Sequence, residues 1–262
     1  MEKIGIIGSN IQYTLSPKIH QRFAEQSGIK IDYKVIDCQT KEFKKNLDIF
    51  FEHDEARGIN VTVPFKELAI NFSTNIDPLV DKCNSANTLH KIGDKIKAYT
   101  TDGTGFVQSI KQLVDIKGKR ALIVGAGGAA RSVGASLLDH DVIVSYMNRN
   151  QNRLETFPDC LRDRIYNGEV VDLVINSTPP IASEYILTKI ITEEINLQPN
   201  SLFVDLSYKN SLINNQDIKS RFLSSIDGLG MLVFQAALSF KIWFGIEVDP
   251  YLVISELVDE RD

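Results

Sequence analysis

Cysteine is scarce. Cys38, Cys83 and Cys160 are the only three in 262 residues, an odd number lying far apart, without the spacing of a disulfide framework or a zinc site. Reduced thiols and a cytoplasmic location are therefore expected. No uncharged apolar run approaches the roughly 18 residues that a membrane span requires. The opening residues 1–8 also lack the basic and apolar regions of a secretory leader. Positive charge is short as well: 29 Lys and Arg stand against 34 Asp and Glu, a net charge of −5. Gripping nucleic acid takes a basic face, so neither nucleic acid nor membrane is expected as a partner. The four histidines, His20, His53, His90 and His140, have no ligand at metal spacing; no metal is expected, and all four read as structural or surface residues. Repeats, low-complexity tracts and a G-x-S-x-G nucleophile elbow are absent too.

The remainder is ordinary globular material, 43% apolar and 24% charged, in a chain long enough to bury roughly three quarters of its unfolded surface. Residues 4–7 form an apolar run ended by Gly8. Ser16-Pro17 reads as a helix start, with Ser16 as N-cap and Pro17 at the first helical position; the helix should stop before Gly28. Residues 33–36 read as a strand, and Thr40 as the cap of a helix that sets Phe43, Leu47, Phe50 and Phe51 on one face. A third strand at 58–63 is stopped by Pro64. Residues 89–92 and 95–99 flank Gly93-Asp94 with hairpin spacing, and Asp102 reads as a possible cap of a helix over 103–113. From Gly118 the alternation restarts with strand 120–124, a glycine loop, helix 129–140 and strand 142–147. Short strands follow at 173–176, 202–205 and 225–227. Strands alternating with helices imply parallel sheets. Residues 230–244 are apolar almost all round, broken by Gln235, Ser239 and Lys241, as in a buried helix. The pattern is that of two α/β units joined near residues 100–117.

Gly125-Ala126-Gly127-Gly128-Ala129-Ala130 follows an apolar strand and opens a helix. Gly125 suits the tight turn, Gly127 lets a pyrophosphate approach the backbone, and Ala130 lets helix and strand pack closely. Phosphate oxygens would meet the free N–H groups of the helix N-terminus. An NAD site wants a carboxylate at the end of the next strand to hold the ribose hydroxyls. That place holds Asn148-Arg149, with Arg153 one turn on. A guanidinium there favours the 2′-phosphate of NADP; the plainer reading is a pair of solvated helix-start arginines.

Small polar residues gather at expected strand ends in the first half: Thr14, Ser16, Asn60, Thr62, Lys66, Asn87, Thr88, Thr101 and Asp102. Ligands of open α/β sheets bind outside the carboxyl ends of strands, and this mixture suits a small polyhydroxylated acid. When hydride adds to a ketone, charge grows on its oxygen. A Lys66 ammonium could supply both charge and proton there, and Asp102 could orient it. A lysine at a helix start is otherwise mildly unfavourable.

In these motifs the sequence resembles the shikimate dehydrogenase family. The family's S-x-S-P-x-x-H stands as Thr14-Leu15-Ser16-Pro17-Lys18-Ile19-His20, its N-V-T-x-P-x-K as residues 60–66, its T-D-G-x-G as residues 101–105, its G-A-G-G-A-A-R as residues 125–131, its N-R as Asn148-Arg149, and its G-M-L-V-x-Q as residues 230–235. The resemblance spans essentially the whole chain. It implies an α/β fold of two α/β domains around a cleft, the second a Rossmann-type doubly wound parallel sheet. Residues 1–101, completed by 237–262, would bind substrate, and residues 102–236 would bind NADP. It implies reversible reduction of 3-dehydroshikimate to shikimate by NADPH in aromatic amino-acid (chorismate) biosynthesis, by a monomer or homodimer whose partner is a small-molecule substrate. Lys66 and Asp102 would be the catalytic pair. Thr14, Ser16, Asn60, Thr62, Asn87, Asp102, Tyr208 and Gln235 would bind substrate. Gly125, Ala126, Gly127, Gly128, Ala129, Asn148, Arg149, Arg153, Leu206 and Gly228 would hold the cofactor.

The chain departs from the family pattern at Thr100, usually Asn, and at Asn84, usually Gly, which Asn can replace in the left-handed region. Asn210 and Ile213 stand for a Pro and a Thr of the D-x-x-Y-x-P-x-x-T motif, and Pro179-Pro180 for a Gly-Met. Two alternatives follow: a quinate/shikimate dehydrogenase using NAD, disfavoured by Arg149, and a non-catalytic nucleotide-sensing paralogue, disfavoured by retention of Lys66 with Asp102.

Overall fold

The computed structural model of the chain describes residues 1–179 and 184–260; Pro180 lies outside them. The chain divides into two compact units, Met1–Gly105 with Val233–Asp262, and Phe106–Leu232.

The first unit runs β1 (Glu2–Gly8), α1 (Ser16–Ser27), β2 (Ile31–Asp37), α2 (Phe43–Phe51), β3 (Ala56–Val61), α3 (Leu68–Phe72), β4 (Asn75–Ile76), α4 (Pro78–Cys83), β5 (Thr88–Ile92) and β6 (Lys95–Tyr99), then enters α5 (Asp102–Ile110). Its six strands lie in the order β2-β1-β3-β5-β6-β4. β1 is parallel to β2 and β3, but β5 is antiparallel to both β3 and β6. The sheet is therefore mixed, in keeping with the hairpin expected at residues 89–99. The reason is local: Ile92 pairs with Lys95 across a two-residue turn, Gly93 holds φ 59°, and a hairpin reverses the chain. Phe43, Leu47, Phe50 and Phe51 are all buried on one face of α2, as their spacing requires, in a core with Ile7, Val61, Phe65, Val80 and Leu89. Each such side chain contributes about 1.5–3 kcal/mol on burial.

Helix starts differ in detail from expectation. Ser16 is the first residue of α1, not its cap, and Pro17 follows it; Leu15 takes the N-cap position. Thr40 opens a short 3₁₀ turn closed by a capping box between Gln39 and Glu42, which hands over to α2. The third strand ends at Val61, although Thr62 N–H still reaches the Ile7 carbonyl at 3.0 Å.

The second unit contains β7 (Arg120–Val124), α6 (Gly128–Leu138), β8 (Ile143–Met147), α7 (Asn152–Glu155), α8 (Asp159–Arg162), β9 (Val171–Asn176), α9 (Glu184–Lys189), β10 (Leu197–Asp205), α10 (Gln216–Arg221) and β11 (Ser224–Ile226). All five strands are parallel, in the order β11-β10-β9-β7-β8. Alternate residues go to opposite faces: Ala121 and Ile123 join Phe106, Ile110, Ala130 and Val133, whereas Leu122 and Val124 join Leu187, Ile191, Ile218 and Phe222. Helices cover both faces, so the sheet is doubly wound.

The chain closes with α11 (Leu229–Phe244) and α12 (Pro250–Asp259). The boundary between units falls inside α5 and inside α11. α12 has no counterpart in the sequence reading; it buries only Val253 and Leu257, too few apolar positions to stand out as a period. Among the described residues no helix is long and apolar enough to cross a membrane.

Candidate active site

The strand ends of the first unit converge on one ion pair. Lys66 follows β3 on the turn into α3, and Asp102 is the first residue of α5. Lys66 Nζ donates to Asp102 Oδ2 at 2.5 Å, with side chains only 15% and 6% exposed. Asp102 does not serve as a helix cap. Its carboxylate sits at the N-terminus of α5, where a negative charge is favoured, and spends its oxygens on side chains: Asn87 Nδ2 donates to Oδ1 at 3.0 Å.

Asn87, just before β5, is the hub. Its Oδ1 accepts from Thr101 N–H at 2.8 Å, which turns its amide N–H groups toward Thr101 Oγ1 at 2.9 Å, Asp102, and Gln235 Oε1 at 3.1 Å. Asn60, on β3, is 5% exposed and fully engaged: Nδ2 faces the Asn87 carbonyl, Thr88 Oγ1 and Ser239 Oγ at 3.0–3.2 Å, and Oδ1 lies 3.2 Å from His20 Nε2. Burial pushes the His20 imidazole down to about 3, against a smaller upward pull from Asn60, so it is neutral. Sequence reasoning counted Thr88 only among the small polar residues at strand ends and gave Ser239 no role. A signal existed for Ser239: Gln235 and Ser239, four apart, are polar breaks on one side of an apolar helix.

Thr14 and Ser16 lie at the start of α1. The Thr14 and Ser16 hydroxyls are 3.0 Å apart, and Ser16 N–H donates to Thr14 Oγ1 at 3.2 Å, so Thr14 does the capping expected of Ser16. Asp37, at the end of β2, steadies the loop before them, accepting from Asn10 N–H at 2.9 Å and Ile11 N–H at 3.1 Å. Thr62 is half-buried beside Gly8, whose missing Cβ would strike its methyl group. Asn84 holds φ 48° as the C-cap of α4, the left-handed conformation anticipated for the residue that replaces Gly. Thr100 is buried at the end of β6.

In the second unit Gly125 has φ 122° and donates to the Met147 carbonyl at 2.9 Å, with Ser177 Oγ pressed where a side chain would be. Gly127 is the N-cap of α6, and a Cβ there would meet nothing within 4 Å. The loop thus leaves a cradle beside the N–H groups of Gly128 and Ala129, with Ala126 at its rim. Asn148 is half-buried, Arg149 and Arg153 are exposed, and β8 ends without a carboxylate. These residues fit a dinucleotide with a 2′-phosphate. Leu206 and Gly228 meet directly: a Cβ on Gly228 would collide with the Leu206 carbonyl. Tyr208, half-buried, lies two residues beyond Leu206.

The loop that lacks the family's Pro and Thr keeps the motif's Asp, which gathers its hydrogen bonds. Asp205 is 1% exposed and accepts from Asn176 Nδ2, Ser207 N–H, Ser211 Oγ and Leu212 N–H at 2.7–3.1 Å. Asn210 takes φ 52°, which Asn tolerates. Among the described residues no group of three or more His, Cys, Asp or Glu could hold a metal ion.

Two family models match the chain: the shikimate dehydrogenase substrate binding domain over residues 6–89 and the shikimate 5′-dehydrogenase C-terminal domain over residues 228–253. A protein of Xylella fastidiosa strain Temecula1 named shikimate dehydrogenase (NADP(+)) is 32% identical, the match covering 99% of this chain and 97% of that protein. The crystal structure of shikimate dehydrogenase from Aquifex aeolicus superposes with a TM-score of 0.84 at 27% identity, covering 98% of this chain and 97% of that one. That of shikimate 5-dehydrogenase from Thermus thermophilus with NADP(H) and shikimate gives 0.82 at 25%, covering 97% and 98%. Likeness of this extent, in sequence and in fold, places the chain in the shikimate dehydrogenase family.

Proposed function

We propose that the chain interconverts 3-dehydroshikimate and shikimate with NADPH, the first unit taking the substrate and the second the cofactor. The observation that carries this is the buried Lys66–Asp102 pair, tied to Asn87, in a chain similar from end to end to relatives that bear the name.

NADPH, when bound, would supply the hydride. As the ketone carbon accepted it, the π pair would move to the oxygen, where Lys66 would balance the charge and give up a proton. Such help is typically worth about 10² to 10⁴ in rate. Asp102 holds the ammonium in place through Oδ2 and accepts a substrate hydroxyl; Asn87 keeps the carboxylate from turning. The hydroxyls of Thr14, Ser16 and Thr62, with Gln235 and Tyr208, bind the acid and its hydroxyls. Gly125 through Ala129 cradle the pyrophosphate, and Asn148, Arg149 and Arg153 hold the adenosine ribose and its 2′-phosphate. Leu206 and Gly228 flank the nicotinamide. None of the three cysteines is in a disulfide, which suits a cytoplasmic enzyme.

The test is absorbance at the reduced-nicotinamide band with shikimate and NADP, beside reactions with quinate and with NAD. Reduction of NADP by shikimate supports the proposal. A preference for NAD, or for quinate, moves the substrate or cofactor assignment. Binding of NADPH without turnover makes the chain a sensor.

A further inference from the structure

His20 carries a polar group where hydrocarbon would pack. It is fully buried among aromatic rings, with Tyr33 stacked at 5.1 Å and Trp243, Phe23 and Phe240 at 5.3–6.3 Å between centroids. Its Nδ1 has no hydrogen-bond partner, a burden on stability that an apolar side chain would avoid. What the imidazole adds is a single N–H. The Asn87 carbonyl can only accept, so it fixes Asn60 Nδ2 on its side and leaves Asn60 Oδ1 facing His20. His20 must then donate from Nε2, and Nδ1 must be bare. From there the contacts run on: Asn60 Nδ2 donates to Thr88 Oγ1 at 3.1 Å, the Thr88 hydroxyl lies 3.2 Å from Asn87 Oδ1 and 2.8 Å from Ser239 Oγ, and Asn87 Nδ2 donates to Asp102. Ser239 braces the same amide from α11 at 3.0 Å.

We propose that His20, acting through Asn60 and Thr88, is a positioning residue for the Lys66–Asp102 pair, and that Asn60 serves this chain of hydrogen bonds rather than the substrate. The proposal rests on the activity proposed above. The chain of bonds ties β3, which leads to Lys66, to the start of β5, where Asn87 holds Asp102. Misplacing a reacting group by about an ångström costs up to about 100-fold.

The experiment compares wild type, His20→Leu, His20→Gln and Thr88→Val, measuring kcat, the KM values for shikimate and NADP, and thermal unfolding. In His20→Leu and Thr88→Val kcat is expected to fall between about 10- and 100-fold with the KM for NADP unchanged. In His20→Gln, whose amide offers a donor at the same reach, most of the loss should be recovered at a melting temperature no higher than that of the Leu variant. Nitrogen-15 resonances of wild-type His20 should show a protonated Nε2 and a bare Nδ1 from pH 5 to 8. Should His20→Leu not fold, Thr88→Val, nearly isosteric, decides. An active wild type with kcat unchanged in Thr88→Val, or loss in all variants that follows the melting temperature alone, overturns the positioning role. An inactive wild type overturns the activity and this role together.

Discussion

At the scale of the residue, the chemistry rests on groups whose partners lie far away in sequence. Lys66→Ala is expected to lower kcat by about 10² to 10⁴ with little change in the KM for shikimate, because the ammonium acts mainly on charge that develops during hydride addition. Steady-state kinetics check this, and an unchanged kcat removes Lys66 from the chemistry. Arg149→Ala should raise the KM for NADPH while leaving NADH unaffected, since only the former carries the 2′-phosphate; equal losses with both would show that Arg149 does not read it. Both residues stand out in sequence for the same reason: each is a local misfit or a local absence, a cation at a helix start and a strand end without a carboxylate. The contacts of His20 and Ser239 with Asn60 were not legible. A histidine or serine in a helix looks the same in sequence whether it faces water or Asn60, and only packing of α1 and α11 against β3 distinguishes the two.

At the scale of the element, loops and turns decide more than strands. Gly125→Ala must place a side chain at φ 122° and against Ser177 Oγ. It is expected to cost roughly 1–3 kcal/mol and to weaken NADPH binding, read by thermal unfolding and by titration. The changed loop after β10 makes a second case. Asp205 gathers four donors there, so Asp205→Ala, which leaves them buried and unpaired, should destabilise by at least about 2 kcal/mol. Asn210→Gly should be neutral within about 0.5 kcal/mol, as glycine accepts φ 52° freely. Denaturant titration of both variants tests whether Asp205, and not the residue at position 210, is the constraint on this loop. Periodicity exposed α2 and the strands of both sheets, where burial repeats along the chain. It missed α3, α4, α7, α8, α9, α10 and α12, short helices with too few apolar positions, and it set helix starts one or two residues off because Leu15 and Gln39, not Ser16 and Thr40, hold the N-cap positions.

At the scale of the whole molecule, His20 links stability to pH. Its ordinary value of 6.5 is pushed down to about 3 in the folded chain by burial. Above pH 6.5 the imidazole is neutral folded or unfolded and contributes no dependence. As pH falls through 6.5 the unfolded chain takes up a proton that the folded one refuses, so stability is lost at up to about 1.4 kcal/mol per pH unit until about pH 3. Between pH 7 and 5 the slope of unfolding free energy against pH should shrink in His20→Gln, measured by denaturant titration; an unchanged slope would mean that His20 is protonated in the native state. What the sequence determined by itself is what repeats or clusters along the chain: two α/β patterns, the glycine loop with its arginines, and the set of polar residues at strand ends. Those follow from side-chain period and turn chemistry, which are local. Tertiary structure alone decided that β5 pairs antiparallel with β3, that Asn60 is spent on His20, Thr88 and Ser239, and that Asp102 is held by Asn87 instead of capping its helix. A hydrogen bond forms between whichever donor and acceptor the packing brings together, and around Asn60 those groups lie up to 179 residues apart.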